Sequence, residues 1–293
     1  MMASLILAAL VFTQLDASKS YDVARELVSR HSPRDAGTLR GRVAALKIFE
    51  LAAKEGAMPR IQSFKDNTPY GEKHFFNVYA DILCDKKSRD WVVVVSHFDT
   101  KSSVDCPGAN DGASTSGLLM GLVRALKSSP LKNVNIRLMW LDGEESMIKY
   151  GKNDGLWGSR YAAKELKNSK KNVLAVICLD MLGDRNLDIK IPENTDSELS
   201  ELALKAARLA GCKDVVRKAD FAVTDDHVPF LQRGYKTLNL IDFNYGSKPK
   251  LNDYWHTPKD DMSHISLKSI YSSGRIVSEL LNLIDSGAMA HTN

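Results

Sequence analysis

The chain has 293 residues, of which 44% are hydrophobic and 26% are charged, and its formal net charge at pH 7 is +4. This composition is ordinary for a soluble globular protein, and the small, dispersed charge argues against nucleic acid as a partner. We expect a single domain, because α/β enzymes of this length often form one. The four cysteines show no metal-binding spacing, and a disulfide between Cys84 and Cys106 remains an open alternative.

The first feature along the chain is an apolar stretch from Leu5 to Phe12. It is too short to span a membrane as a helix, and no other segment is apolar enough to do so. We interpret it as the core of an export signal with a cleavage point near Ala17, or alternatively as an ordinary N-terminal helix. The expected division is therefore residues 1–18, a signal or helix, and residues 19–293, the single domain of a periplasmic or secreted protein.

Helical periodicity covers residues 21–56 and is interrupted by a turn near Ser32-Pro33. The expected core positions of this region are Val23, Leu27, Val43, Leu46, Ile48 and Leu51. Further helices are predicted at Gly117–Lys127, Ser159–Asn168, Glu198–Ala210 and about Leu267–Leu283. Asp260 and Asp261 are expected to cap the last of these helices.

Four short apolar runs predict strands: Trp91–Val95, Ile136–Leu141, Val173–Leu179 and Thr237–Ile241. Since these runs are nearly continuous rather than alternating, they indicate strands buried on both faces of a mainly parallel sheet. Asn77–Ile82 alternates weakly and is expected to pair at the edge. The succession of strands and helices predicts an α/β fold, a three-layer sandwich with a mixed, mainly parallel central sheet flanked by helices.

Residue types that bind metals follow one predicted strand after another. His97 and Asp99 follow the first strand, Glu144 and Glu145 the second, and Asp180 the third. The fourth strand leads through Asp242 towards His256. Open α/β sheets bind ligands beyond the carboxyl ends of their strands, so this recurrence predicts a site at that edge.

Imidazole and carboxylate groups are zinc ligands, and the candidates are His97, Asp111, Glu145, Asp180 and His256. Taken singly, each has a structural alternative: a strand-end histidine can simply be hydrogen-bonded, and an Asp before Gly is usually a turn. Their joint placement favours a metal site. Asp99 is expected to accept the second N–H of the His97 ring, because a carboxylate there fixes the tautomer of a ligand.

These residues resemble the M28 metallopeptidase superfamily and, within it, the animal-type glutaminyl cyclases. The similarity extends from about residue 21 to residue 285. It is carried by His97-Phe98-Asp99, Asn110-Asp111-Gly112-Ala113-Ser114, Asp142-Gly143-Glu144-Glu145, Asp180 and His256-Thr257. The resemblance implies that the principal zinc is bound by Asp111, Glu145 and His256. It also implies a second zinc site in aminopeptidases, completed by His97 and Asp180, and an acid/base role for Glu144.

Other segments are similar to the cyclases in particular, among them Thr68-Pro69-Tyr70-Gly71, Gly155–Arg160 and Thr224–Phe230. The resemblance implies that Asp225 joins Glu144 and Asp180 in a hydrogen-bonded set of catalytic carboxylates. It also implies that Trp255 and Tyr150 are aromatic walls of the substrate pocket.

The sequence also departs from the cyclases. Thr224, expected to contact the substrate, is shorter than the amide side chain common in them. Ser96 and Ser116 occupy the positions of a cysteine pair that braces their zinc region.

Two chemistries are compatible with such a site. A cyclase uses one zinc and converts an N-terminal glutamine to pyroglutamate, whereas an aminopeptidase uses two zinc ions and hydrolyses the first peptide bond. Both act on peptides with a free N-terminus, and both need Glu144. A catalytically inactive binding homologue is the third alternative, which the complete set of expected ligands disfavours.

Overall fold

Apolar runs rich in β-branched residues form the central strands of the fold. The computed structural model describes residues 15–289, which contain eight strands and seven α-helices. The strands are β1 (Arg60–Thr68), β2 (Gly71–Ile82), β3 (Asp90–His97), β4 (Asn135–Leu141), β5 (Asn172–Asp180), β6 (Ile189–Ile191), β7 (Val216–Lys218) and β8 (Thr237–Ile241). The helices are α1 (Ala17–His31), α2 (Leu39–Lys54), α3 (Thr115–Ser128), α4 (Trp157–Asn168), α5 (Ser197–Leu209), α6 (His227–Leu231) and α7 (Leu267–Asp285).

The strands form one mixed sheet in the order β1-β2-β4-β3-β5-β8-β6-β7. The four central strands, β4, β3, β5 and β8, are parallel. β1 pairs antiparallel with β2, and β2 pairs antiparallel with β4. Because the central strands all point the same way, their carboxyl ends meet at one edge of the sheet.

Alternate residues of β3 pack into different layers. Val92 and Val94 belong to a large core that includes residues of α3 and α7. Val93 and Val95 belong to a smaller core with residues of α4 and with Phe230 of α6. Helices therefore cover both faces of the sheet, and the prediction of a three-layer α/β sandwich is confirmed. The four strands predicted from apolar runs all lie in this buried centre.

The prediction that Asn77–Ile82 lies at the sheet edge is wrong. This segment is part of β2, which lies between β1 and β4. The edge strand is β1, and the sequence analysis missed it because its residues are mostly polar and only Phe64 and Thr68 are buried. A strand with one solvated face and one free edge carries little hydrophobic signal.

Two expected core positions of α2 are also wrong, since Val43 is 44% exposed and Leu46 is 46% exposed. The helix instead buries Gly41, Ala44, Ala45, Ile48 and Ala52. These residues are mostly small, which allows the helix backbone to approach its neighbours closely. Side-chain size therefore misplaced Val43 and Leu46, whereas Ile48 is buried as expected.

The cap expected for the last helix differs as well. The N-cap of α7 is Ser266, whereas Asp261 accepts the N–H of Ser263 at 2.7 Å and caps a short 3-10 turn. Asp260 is fully buried and belongs to the site described below.

Most of the predicted export segment, residues 1–18, lies outside the described residues, and α1 begins at Ala17. Among residues 15–289 there is no helix long and apolar enough to cross a membrane. All four cysteines fall within this range and are free thiols, so the structure contains no disulfide between Cys84 and Cys106.

Candidate active site

A compact cluster of ligand atoms lies at the carboxyl edge of the central strands. Asp111, Glu145 and His256 each direct one ligand atom to a common point, with all three atoms within 4.8 Å of one another. The Nε2 atom of His256 lies 2.7 Å from Glu145 Oε1 and 3.2 Å from Asp111 Oδ2. Three segments distant in the sequence therefore supply one group of donors.

A second group of ligand atoms shares Asp111 with the first. It consists of His97, Asp111 and Asp180. The Nε2 atom of His97 lies 3.0 Å from Asp111 Oδ1 and 3.2 Å from Asp180 Oδ1. Asp111 thus stands between the two histidines, one on each of its carboxylate oxygens.

An irregular turn places Asp111 at the centre. Residues Ala109–Ser114 form a single π-helical turn that is broken by Asp111 and by Gly112, which has φ of 117°. A Cβ atom on Gly112 would lie 2.7 Å from the carbonyl oxygen of His97 and 2.8 Å from its ring. Glycine is therefore required here both for the backbone angle and for the close approach of the His97 ring.

Asp260 fixes the backbone of this turn. Its carboxylate accepts the N–H groups of Asn110 at 2.7 Å and of Asp111 at 3.2 Å, together with the hydroxyl of Tyr245 at 2.9 Å. The sequence analysis assigned Asp260 to a helix cap. A possible signal was its position only four residues after His256 in the same motif region.

Asp99 has a different main contact from the one expected. Its two carboxylate oxygens accept the backbone N–H groups of Glu144 and Glu145, each at 3.1 Å. Its distance to Nδ1 of His97 is 3.5 Å, and that nitrogen has no hydrogen-bond partner within the described residues. Asp99 therefore orients the Glu-Glu segment more directly than it orients the imidazole.

Hydrogen bonds from two serine hydroxyls join the end of β3 to the start of α3. Ser116 donates to the carbonyl oxygen of His97 at 2.9 Å, and Ser96 donates to the hydroxyl of Thr115 at 2.8 Å. Both serines are buried. The end of β3 is thereby connected to the start of α3 without a covalent bond.

The hydroxyl of Tyr150 contacts both carboxylate oxygens of Glu144, at 2.9 Å and 3.0 Å. The expectation from sequence was an aromatic wall, and the hydrogen bond comes in addition to it. The Nζ atom of Lys101 lies over the Tyr150 ring, 5.9 Å from its centroid, and donates to the hydroxyl of Ser146 at 2.9 Å. The Lys101 ammonium is also 3.5 Å from Oε2 of Glu145.

Backbone angles that are rare for non-glycine residues concentrate around the site. Leu156, Met181 and His256 have φ values of 57°, 55° and 56°. Met181 directly follows Asp180, and His256 belongs to the first ligand group. Such conformations cost of the order of 1–3 kcal/mol each and persist where the surroundings enforce them.

A cavity of about 480 Å³ opens onto the first ligand group. Its walls include four aromatic side chains, which are Tyr150, Phe221, Phe243 and Trp255. Trp255 stacks on the ring of His256 with a centroid distance of 3.8 Å and packs against Phe243 at 5.2 Å. Phe221 and Phe243 were not predicted from the sequence, because both stand in loops outside the quoted motifs, Phe221 three residues before Thr224.

The acidic loop predicted after β7 also lines this cavity, through Thr224 and Asp225. The amide of Asn239 donates to Asp225 Oδ2 at 2.8 Å, and the thiol of Cys178 lies 3.5 Å from Asp225 Oδ1. Asp225 is 2% exposed, and Asp180 is on the same cavity wall.

Burial dominates the electrostatics of the site. It raises the pKa of Glu144 well above its ordinary value, and the neighbouring charge of Glu145 adds to the effect. Burial likewise raises the pKa of Asp180 to about 7, although the hydrogen bond from His97 opposes the shift. For His256, burial lowers the pKa, but hydrogen bonds to Asp111 and Glu145 outweigh it and raise the value to about 9.

The first ligand group fits a divalent cation. One imidazole and two carboxylates are the donors that zinc uses in catalytic sites, with a further position left for water or substrate. Oε2 of Glu145 is buried and has no hydrogen-bond partner among the described residues, and the Lys101 ammonium lies 3.5 Å from it. A cation also compensates the negative charge of two buried carboxylates.

The structure brings every predicted site residue to this region. The cavity is lined by Asp111, Glu144, Glu145, Tyr150, Asp180, Thr224, Asp225, Trp255 and His256. His97 and Asp99 lie directly behind it, in contact with Asp111 and with the Glu144 backbone. Fold and site together define an α/β enzyme whose acidic groups surround a metal-ligand cluster at the sheet edge.

The chain belongs to peptidase family M28, whose family model matches residues 77–281, more than half of the chain. It is 29% identical over 262 residues to a glutaminyl-peptide cyclotransferase of Drosophila melanogaster, an alignment that covers 80% of this chain and 72% of that protein.

Solved structures show the same fold. The crystal structure of a glutaminyl cyclase from an Acidobacteriales bacterium superposes with a TM-score of 0.84 at 27% identity, covering 94% of this chain and 96% of that one. A leucine aminopeptidase precursor from Bacteroides thetaiotaomicron superposes with a TM-score of 0.80 at 23% identity, covering 91% and 97%. The fold is therefore shared by enzymes named for both chemistries.

Proposed function

We propose that this chain is a zinc-dependent glutaminyl-peptide cyclotransferase, which converts the N-terminal glutamine of a peptide to pyroglutamate and releases ammonia. The observation that carries the proposal is the position of Glu144. Its buried carboxylate faces a cavity with four aromatic side chains in its walls, beside the ligand group of Asp111, Glu145 and His256. The Drosophila relative and the Acidobacteriales structure, both named for this activity, support it.

The cavity suits the substrate side chain. The stem of a glutamine residue is short and apolar and ends in a polar carboxamide. Aromatic walls formed by Tyr150, Trp255 and Phe243 bind such a stem and exclude water, and acidic side chains line the same cavity. Zinc bound by Asp111, Glu145 and His256 supplies a Lewis acid for the carboxamide oxygen.

Glu144 moves the proton in this reaction. It accepts a proton from the substrate's α-amino nitrogen as that nitrogen forms a bond to the side-chain carbonyl carbon. The bond from this carbon to the amide nitrogen then breaks, and Glu144 returns the proton to the departing ammonia. The raised pKa of Glu144 favours the protonated form that it must hold before it returns the proton to ammonia.

Asp180 and Asp225 assist from the same wall of the cavity. We assign them to the stabilisation of the substrate's amino group and of Glu144 through charge and hydrogen bonding. Asn239 fixes Asp225 by its amide hydrogen bond. Thr224 is assigned to contact the substrate backbone beside Asp225.

Incubation of the purified, zinc-loaded protein with a peptide that begins with glutamine, followed by mass spectrometry, tests the proposal. Loss of one ammonia with the chain otherwise intact is the expected result. A peptide whose first residue is asparagine is the matched control, because its side chain is one methylene shorter and it should remain unchanged. Loss of the whole first residue would contradict the cyclase assignment.

The second ligand group favours an alternative function. His97, Asp111 and Asp180 can bind another zinc ion, as a two-metal aminopeptidase requires. In that case Glu144 deprotonates water for attack on the first peptide bond. The number of bound zinc ions, measured by elemental analysis, separates the two: one supports the cyclase and two support the aminopeptidase.

The natural substrates are then peptides or proteins with a free N-terminus. Periplasmic or secreted localisation stays a prediction from the apolar segment at residues 5–12.

A further inference from the structure

The segment from Ser146 to Gly155 is folded tightly around one buried carboxylate. Asp154 accepts the backbone N–H groups of Met147, Ile148 and Lys149 at 2.6, 2.8 and 2.7 Å. Three charge-assisted hydrogen bonds fix the turn that precedes Tyr150. The loop is therefore an ordered support for that side chain.

Gly155 closes the loop beneath the Tyr150 ring. Its φ is 77°, and a Cβ atom there would lie 2.6 Å from Cδ1 of Tyr150 and 3.0 Å from the carbonyl oxygen of Glu144. The ring thus lies against the Gly155 backbone, next to the strand end that carries Glu144. The Nζ atom of Lys101 also lies over the Tyr150 ring, 5.9 Å from its centroid.

The contact between Tyr150 and Glu144 is specific in geometry. The phenol has one proton to donate and its oxygen is nearly equidistant from both carboxylate oxygens, at 2.9 Å and 3.0 Å. One donor shared between both oxygens holds the carboxylate group at a set distance from the Tyr150 ring. The same carboxylate lines the cavity in which the substrate's amino group has to bind.

We infer that Tyr150 is a positioning residue, whose hydroxyl sets the orientation of the Glu144 carboxylate for proton transfer, and that the Ser146–Gly155 segment is the device that places it there. The inference rests on the proposed function for the identity of the substrate. It goes beyond the aromatic wall that the same ring forms. A wall requires only the ring, whereas positioning requires the hydroxyl.

Three proteins separate these roles: wild type, Tyr150→Phe and Tyr150→Ala. Tyr150→Phe keeps the ring and removes only the hydroxyl. We expect its kcat for a glutaminyl peptide to fall by roughly tenfold to 100-fold, the usual worth of a hydrogen bond to a charged group, with KM within about twofold of wild type. Tyr150→Ala should have a kcat similar to that of Tyr150→Phe and a KM higher than that of wild type, because it also loses the aromatic ring that forms the cavity wall.

Tyr271→Phe is the matched control, since Tyr271 is 43% exposed on α7 and is not among the residues that line the cavity. It should leave kcat and KM unchanged. If Tyr150→Phe had the kcat of wild type and Tyr150→Ala differed only in KM, the positioning role would be overturned. Tyr150 would then serve only as a wall of the cavity.

A crystal structure of the zinc-loaded Tyr150→Phe protein gives a readout that does not depend on activity. The expected result is a rotated or multiply oriented Glu144 carboxylate beside unchanged Asp111, Glu145 and His256 side chains. An unchanged Glu144 would overturn the inference, whatever reaction the wild type performs. Failure of the proposed function appears separately, as the wrong product or no product from the wild-type protein.

Discussion

The carboxylate of Asp260 accepts the main-chain N–H of Asp111 at 3.2 Å. Asp260 belongs to neither ligand group, yet it fixes the backbone of Asp111, which belongs to both. The same carboxylate accepts the N–H of Asn110 and the hydroxyl of Tyr245. The turn that carries Asp111 is irregular, and these bonds replace those that a regular helix would provide. Metal binding and local backbone stability are therefore coupled through Asp260.

Asp260→Ala should destabilise the protein and weaken zinc binding together. It leaves up to three buried donors without an acceptor, at a cost of about 1–3 kcal/mol each. Urea unfolding and elemental analysis measure the two effects. The neighbouring variant Asp261→Ala is the control, because it removes only a cap of a short turn, worth about 1 kcal/mol. Equal stability and equal zinc content in both variants would contradict the coupling.

The adjacent glutamates should separate chemistry from metal binding. We expect Glu144→Gln to lower turnover by at least about 100-fold while zinc content stays that of wild type, because an amide cannot accept and return the proton. Glu145→Gln should instead lower zinc affinity, since it replaces an anionic ligand by a neutral one. Assays of both variants with elemental analysis test this. Near-normal turnover in Glu144→Gln would show that Glu144 is not the acid/base.

Asp225→Ala should impair cyclisation more than it impairs metal binding. Asp225 lines the cavity but belongs to neither ligand group. We expect a fall in kcat/KM of about tenfold or more with zinc content unchanged, because a charged hydrogen-bonding group is lost. Cys178→Ala is a milder comparison, since a thiol is a weak donor to the same carboxylate. A fully active Asp225→Ala would contradict the role that the cyclase assignment gives to this residue.

Asp242 should make stability depend on pH. Burial raises the pKa of this carboxyl from 3.8 to about 7, although N–H groups of Asp188 and Asn244 oppose the shift. The folded protein therefore retains a proton that the unfolded chain releases between these pH values. The contribution of this proton to stability is complete below pH 3.8 and is lost as pH rises through about 7.

Asp242→Asn should accordingly reduce the fall in unfolding free energy between about pH 5 and pH 7, by at most about 1.4 kcal/mol per pH unit. Urea unfolding of the zinc-loaded proteins at several pH values measures it. Exposed Asp253→Asn serves as the reference, and a slope identical in all three proteins would disprove the contribution of Asp242.

Local patterns were sufficient for the central sheet and for the edge at which the candidate site lies. The four central strands are continuous apolar runs, and the polar residues that end them, such as His97 and Asp180, are adjacent to those runs in the sequence. Parallel strands bring such ends to one edge without further information. By contrast, the polar edge strand β1 and the alanine-lined face of α2 gave misleading patterns, because burial there depends on how neighbouring elements pack.

The sequence by itself determined the α/β fold, the edge at which the site forms and the residue types that gather there, since these follow from hydrophobic runs and the residues next to them. The tertiary structure decided the contacts between segments far apart in the chain: Asp260 on Asp111, the Tyr150 hydroxyl on Glu144, and Phe221 and Phe243 in the cavity wall. These contacts depend on the paths of long loops. Such paths are fixed by buried hydrogen bonds and close packing, which leave no periodic pattern in the sequence.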